Sequence, residues 1–160
     1  WKMRTLNYKT RFIDLASEIN SEMPALVVEK VARALNDERK SVNGSNVLVL
    51  GVAYKKNIDD MRESPALDVI RLLEGRGASV SFHDPHVKTF REDGHTFTGV
   101  DLTDDTLSKS DAVVIVTDHD SVNYQRVVDL APVVVDARNA TKGLKSKTGR
   151  IVPLSANTAE

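Results

Sequence analysis

Between Asn46 and Pro65 the chain passes through an unbroken apolar stretch, Val47-Leu48-Val49-Leu50, and stops at Gly51. It then becomes dense in charge, with Lys55, Lys56, Asp59, Asp60, Arg62 and Glu63 ahead of Ser64-Pro65. A run that is apolar at every position suits a strand covered on both faces, the condition of a central strand in a parallel sheet. Ser64-Pro65 reads as a helix start, because serine can accept from the free N–H groups of the first turn and proline at the first helical position needs no partner. Strand, polar loop and helix in that order are how an α/β protein presents a loop to an anionic ligand at the carboxyl edge of its sheet.

The flanking sequence fits such a sheet. Phe12, Leu15, Ala16 and Ile19 share a helical face, and the period resumes at Leu26, Val27, Val31, Ala34 and Leu35. This predicts a long N-terminal helix over roughly 11–37, kinked where Pro24 removes a backbone donor; the alternative is a second helix starting there with Ser21 as its cap. Asn43-Gly44 makes a turn before the first strand. After it, Leu67, Val69, Ile70 and Leu73 give a second helix its apolar face, ended by Gly75-Arg76-Gly77. Ala78–Phe82 is a second strand stopped by Asp84-Pro85. Residues 86–102 read as a loop, Thr103 or Asp104 caps a short helix to Lys109, and Ala112–Val116 is a third strand. Tyr124–Leu130 is a short helix, and Val133–Val135 is a fourth strand ending at Asp136. From Leu144 no period is strong, and the tail SANTAE is expected to be mobile. The fold class expected is α/β: a Rossmann-like, doubly wound parallel sheet with helices on both faces, preceded by the long helix.

Composition removes several function classes. The 160 residues suffice for one domain with its own core. With 22 basic and 23 acidic residues there is no bulk basic field, so nucleic acid is not an expected partner. Cysteine is absent, which leaves no disulfide, thiolate metal site or cysteine nucleophile in these residues. No apolar run approaches the roughly 20 residues of a membrane span. The segment WKMRTLNYKTRF has no signal-peptide core, and a cytoplasmic setting is expected. Trp1 does not read as a natural start.

Candidate chemistry gathers at the strand ends: Tyr54, Lys55, Lys56 and Arg62 after the first; His83, Asp84 and His86 after the second; Thr117 to Asp120 after the third; Asp136 and Arg138 after the fourth. The first loop has Gly51 but no G-x-G-x-x-G, so a backbone cradle for a pyrophosphate is not indicated and lysines must reach the phosphate as point charges. The plain alternative is a solvated cluster in which Lys55 or Lys56 pairs with Asp59 or Asp60. Asp84 stands where a dinucleotide fold keeps its ribose-binding acid, though Asp84-Pro85 also reads as a simple turn. His83 and His86 lack further ligands, and no metal site is expected. Asp118-His119-Asp120 suits either acid–base work or a structural rim. Arg138, just past a buried strand, is placed as a phosphate fork.

The segment GVAYKKNIDDMRESPALDVI, together with Asp84-Pro85, VIVTDH and VVDARNA, resembles the C-terminal domain of the UDP-glucose/GDP-mannose dehydrogenase family. The segment WKMRTLNYKTRFIDLASEINSEMP resembles that family's central helical region, so the resemblance covers about residues 1–143. Its wording is nearest to the UDP-N-acetylhexosamine 6-dehydrogenases. The resemblance implies residues 1–43 as a central linking and dimerisation segment and 44–160 as a Rossmann-like, UDP-sugar-binding domain. It implies oxidation of a sugar C6 alcohol to the carboxylate by two NAD, through a cysteine-bound intermediate, in a homodimer serving polysaccharide biosynthesis. By matching position, Tyr54, Lys55 and Arg138 would contact the UDP-sugar and Arg62 would reach toward NAD. The family's cysteine and its G-x-G-x-x-G domain have no counterpart here. These residues are therefore expected to be the C-terminal part of a longer enzyme, with no catalytic residue of their own. A nucleotide-sugar-binding module without catalysis, a UDP-glucose 6-dehydrogenase, or a generic α/β domain with structural loop charges are the competing expectations.

Overall fold

A computed structural model of the chain describes residues 11–92 and 94–155. Of the tail expected to be mobile, SANTAE, all but Ser155 lies outside them. A long helix, α1 (Arg11–Asp37), comes first and carries Pro24 inside it. Ser21 does not cap a second helix, since its Oγ donates back to the Glu18 carbonyl at 2.7 Å. Five strands then form one parallel sheet: β1 (Asn46–Leu50), β2 (Ser79–His83), β5 (Ala112–Ile115), β6 (Val133–Asp136) and β7 (Arg150–Pro153), in the order β2-β1-β5-β6-β7. Between them lie α2 (Pro65–Gly75), α3 (Asp104–Lys109) and α4 (Tyr124–Leu130). Ser64 caps α2 as expected, with its side chain accepting from the Ala66 amide and Pro65 in the first turn.

The alternation of side chains along each strand sorts the core into two layers. Val47, Val49, Ala112, Val114, Val133 and Val135 pack with the buried faces of α1 and α2. Leu48, Leu50, Val113, Ile115 and Val134 pack with Leu107 of α3 and with Val127 and Val128 of α4. Of the connections between sheet strands, only the one through α2 steps from β1 outward to β2, so the other steps leave α2's side of β5 and β6 uncovered by a crossover helix. The C-terminal half of α1 fills that place, burying Val27, Val28, Val31, Ala34 and Leu35.

Two expectations need correction. The stretch read as a loop over 86–102 contains an antiparallel hairpin, β3 (Thr89–Glu92) and β4 (His95–Thr98). Phe90 and Phe97 stack across it at 4.8 Å, and Phe90 meets Phe82 at 5.0 Å, which gives so short a hairpin an apolar side to sit on. The sheet also has a fifth strand, β7, where no element was expected. It is an edge strand pairing β6 alone, so it tolerates Pro153 and needs no long apolar run.

Candidate functional site

In a parallel sheet the crevice for a ligand opens where the strand order reverses, at the carboxyl ends of the strands. Here that point lies between β1 and β5. Gly51 begins the loop above it with φ 79°, a left-handed conformation that glycine adopts without strain. A side chain would not fit, because a Cβ there would stand 2.2 Å from the Thr117 carbonyl oxygen. Gly51 is thus a close-approach glycine that lets the ends of β1 and β5 touch. Ser64 caps the α2 N-terminus, and the loop after Gly51 has no second or third glycine through which its backbone could wrap a pyrophosphate.

Beneath the loop lies a buried polar network. Asp84, 1% exposed at the end of β2, accepts from the Val52 and Ala53 amides through Oδ2 (2.8 and 3.1 Å) and from the His86 and Val87 amides through Oδ1 (2.8 and 3.1 Å). Burial pushes the Asp84 carboxyl up, but the four backbone donors outweigh it and hold its pKa below the usual carboxylate range. His119, fully buried past the end of β5, lies with Nε2 2.9 Å from Asp84 Oδ2, while its Nδ1 accepts the Asn57 amide at 3.0 Å. Thr117 adds a bond from Oγ1 to the Ala53 carbonyl at 2.7 Å. Asp84 is therefore more than a turn residue and occupies no open ribose site, and His119 is structural. A structural role for His119 was among the sequence readings, but its link to Asp84 was not; the signal available was one Asp and one His at the ends of β2 and β5, on either side of β1.

Above the network the loop displays its charges. The Tyr54 amide donates to the Asp60 carbonyl at 2.7 Å and closes the segment into a ring. Lys56 pairs with Asp120 at 2.9 Å, and Asn57 exchanges two further bonds with Asp120 (2.6 and 3.0 Å). The Lys56 side chain and the Asn57 amide group hold the Asp120 carboxyl low. Arg62 forks onto Asp60 at 2.9 and 2.7 Å, and this hydrogen bonding takes Asp60 down to about 2. Arg138 reaches Asp118 at 3.1 Å, and its amide donates to Asp136 at 2.9 Å. Lys56 thus finds its carboxylate at Asp120, not at the sequence-adjacent Asp59 or Asp60. Lys55 lies 5.6 Å from the centre of the Tyr54 ring, and among the described residues it has no carboxylate partner. Tyr54 itself is 48% exposed. The loop therefore offers one uncompensated cation beside an exposed aromatic ring, flanked by cations held in exposed ion pairs.

No group of three His, Cys, Asp or Glu among the described residues is placed to hold a metal. His83 is turned to the Val100 carbonyl at 2.8 Å, and the His86 ring lies 5.0 Å from that of His119. No helix among the described residues is long and apolar enough to cross a membrane.

A doubly wound α/β domain with a cation-bearing loop over its switch point is the kind of domain that takes an anionic nucleotide ligand. The sequence profile of the UDP-glucose/GDP-mannose dehydrogenase family, UDP binding domain, matches residues 48–143, and the chain belongs to that family. The UDP-N-acetyl-D-mannosamine dehydrogenase of Methanococcus maripaludis is 32% identical over 99% of this chain and 38% of its own length. The UDP-glucose 6-dehydrogenase of Rickettsia bellii is 31% identical over 83% of this chain and 32% of its own length. The solved UDP-D-ManNAc dehydrogenase of Pyrococcus horikoshii superimposes with a TM-score of 0.76 at 27% identity, covering 95% of this chain and 35% of that one. The chain thus spans well under half the length of the relatives it matches.

Proposed function

We propose that this chain is the UDP-sugar-binding part of an NAD-dependent nucleotide-sugar 6-dehydrogenase acting in the cytoplasm in polysaccharide biosynthesis. The substrate is a UDP-N-acetylhexosamine, whose C6 alcohol is taken to the carboxylate with reduction of two NAD. Tyr54 and Lys55 meet the UDP end of the substrate, Arg138 forks onto it, and Arg62 faces NAD held by another domain. The cysteine nucleophile and the NAD cradle are supplied from outside residues 1–160. Residues 1–43 form a linking and dimerising segment, and 44–160 the UDP-sugar domain.

The observation that carries this is the unpaired Lys55 beside Tyr54, above the β1/β5 switch point and inside the stretch matched to a UDP binding domain. A diphosphate needs cationic partners, and a lysine with no carboxylate partner gives up no ion pair to supply one. The N-acetylhexosamine is favoured by the wording of the loop motif, AYKKNIDDMRESPALDVIRLL, which is nearest to the UDP-N-acetylhexosamine 6-dehydrogenases. A homodimer is supported by α1, where Phe12, Leu15, Ile19 and Leu26 form an exposed apolar stripe and Phe12 is 89% exposed. Titrating the chain with UDP and with NAD, while following amide resonances over 52–64, tests the assignment. UDP is expected to shift those resonances and NAD alone is not; no shift with UDP would sink it.

A further inference from the structure

We infer that His119 is a positioning residue that sets where Lys55 is held, through the Asn57 amide. The inference rests on the proposed binding role of Lys55 only for its functional consequence; the geometry stands by itself.

Asp84 accepts through both oxygens, so the buried imidazole must donate to it from Nε2 at 2.9 Å. The Asn57 N–H points at Nδ1 from 3.0 Å, so that nitrogen must accept. Both demands are met by one form alone, the neutral ring with its proton on Nε2. Asn57 is exposed and has φ 63°, a left-handed conformation that asparagine tolerates at a loop tip. The amide is nevertheless turned inward onto a fully buried ring. Lys55 hangs between two fixed points. On one side Ala53 is tied to Asp84 and Thr117. On the other Asn57 is tied to His119 and, by its side chain, to Asp120. The bonds to Asp120 are exposed and exchange readily with water. His119, itself fully buried, provides the more sheltered anchor on that side, through a part-buried bond.

Two substitutions separate the ring's bonds. Asparagine can place an oxygen near the position of Nδ1 and keep the acceptor for Asn57; glutamine can place an amide N–H near Nε2 and keep the donor to Asp84. A role confined to satisfying the buried Asp84 favours His119→Gln, whereas positioning of the loop favours His119→Asn. The experiment uses the 160-residue chain, with UDP as the probe in calorimetry and amide hydrogen exchange read by NMR. In the wild-type chain the Asn57 amide should exchange at least about tenfold more slowly than those of Lys55 and Lys56, for which the described structure shows no acceptor. His119→Asn should keep that protection and a UDP Kd within about twofold of wild type. His119→Gln should lose the protection and raise Kd about fivefold while keeping the higher melting temperature. Exchange at Asn57 as fast as at Lys55 in the wild-type chain, or glutamine restoring the loop better than asparagine, overturns the inference. Failure of either variant to fold leaves the wild-type exchange rates to decide. Absence of UDP binding by the wild-type chain refutes the role proposed for Lys55, and the exchange rates still judge His119.

Discussion

Asp84 and Asp136 are both buried, both stand at the carboxyl end of a strand, and both accept backbone N–H groups, yet they do different work. Asp136 takes the Arg138 amide and the amide and hydroxyl of Thr141, at 2.9, 2.7 and 2.6 Å, all within five residues of itself. It shapes one turn. Asp84 takes two amides from its own turn and two from the loop after β1, 31 and 32 residues away, together with His119, 35 residues away. It ties three strand ends together. The same residue type in the same topological place is a local turn-former in one case and the joint of the site in the other. The difference lies in whether distant loops close over it: the loops after β1 and β5 both reach Asp84 at the end of β2, and none of Asp136's three partners comes from outside its own turn.

Removing Asp84 should therefore cost the most. In Asp84→Ala four amides, three of them buried, and the His119 ring lose their acceptor, with a destabilisation of about 3–5 kcal/mol. For a chain of this size that is a melting temperature lower by about 10 °C. Hydrogen exchange should rise together in the three segments the carboxylate joins, at Val52 and Ala53, at Asn57, and at His86 and Val87. A rise confined to His86 and Val87 would reduce Asp84 to a turn residue of the Asp136 kind.

The charge of Asp84 gives the next test. Its pKa is held below the ordinary carboxylate value in the fold, so the unfolded chain takes up the proton first as pH falls. Its stabilisation is complete above about pH 4 and is lost as pH drops through the folded value. Asp84→Asn cannot titrate and faces the same four amides with one weaker acceptor, at a cost of about 2–3 kcal/mol near neutrality. The gap in urea midpoint between wild type and Asp84→Asn should be constant from pH 7 to about 5 and narrow toward pH 3. A gap independent of pH would mean that folding leaves the carboxyl's pKa where it is in the unfolded chain.

Asp136→Ala should cost less, about 1–2 kcal/mol, because it leaves three partners of a single turn without an acceptor, whereas Asp84→Ala releases five across three strand ends. Exchange should rise at Arg138 and Thr141 and stay unchanged at Val52 through Asn57. Any loosening of the 52–57 loop in this variant would merge the two regions and undo the comparison.

The contrast also separates what the sequence displayed from what it hid. The β1 strand, the Ser64 cap with Pro65, the single long α1 and the four strand ends were legible, since each depends on residues adjacent along the chain. The placing of Asp136 and Arg138 at a strand end was legible for the same reason. The Asp84–His119–Asn57 joint was not, because its members are bland separately and only the strand order places them in contact. Lys56 misled for a related cause: its carboxylate is Asp120, 64 residues on, while nearer acids lay three and four residues away. The hairpin of β3 and β4 did carry a signal in Asp93-Gly94 between two alternating segments, a pairing that favours a two-residue hairpin turn. Edge strand β7 had none, because one neighbouring strand and one half-covered side ask little of Arg150 and Pro153.

The smallest effects belong to the cations, and they divide the same way. Lys55 stands on the Asp84 side, held by its neighbours' bonds with its ammonium unpaired. Arg138 stands on the Asp136 side and spends its guanidinium on Asp118. A phosphate arriving at Lys55 gains a charge-assisted bond outright, while one arriving at Arg138 must first replace a half-exposed ion pair worth up to about 1 kcal/mol. Lys55→Ala should therefore weaken UDP binding about tenfold, and Arg138→Ala about threefold. Asp118→Asn should offset part of the difference by releasing Arg138, tightening UDP about twofold in the wild-type background and not at all beside Arg138→Ala. Equal losses for the two cations, or an effect of Asp118→Asn that persists without Arg138, would show that pairing in the unliganded chain does not rank them.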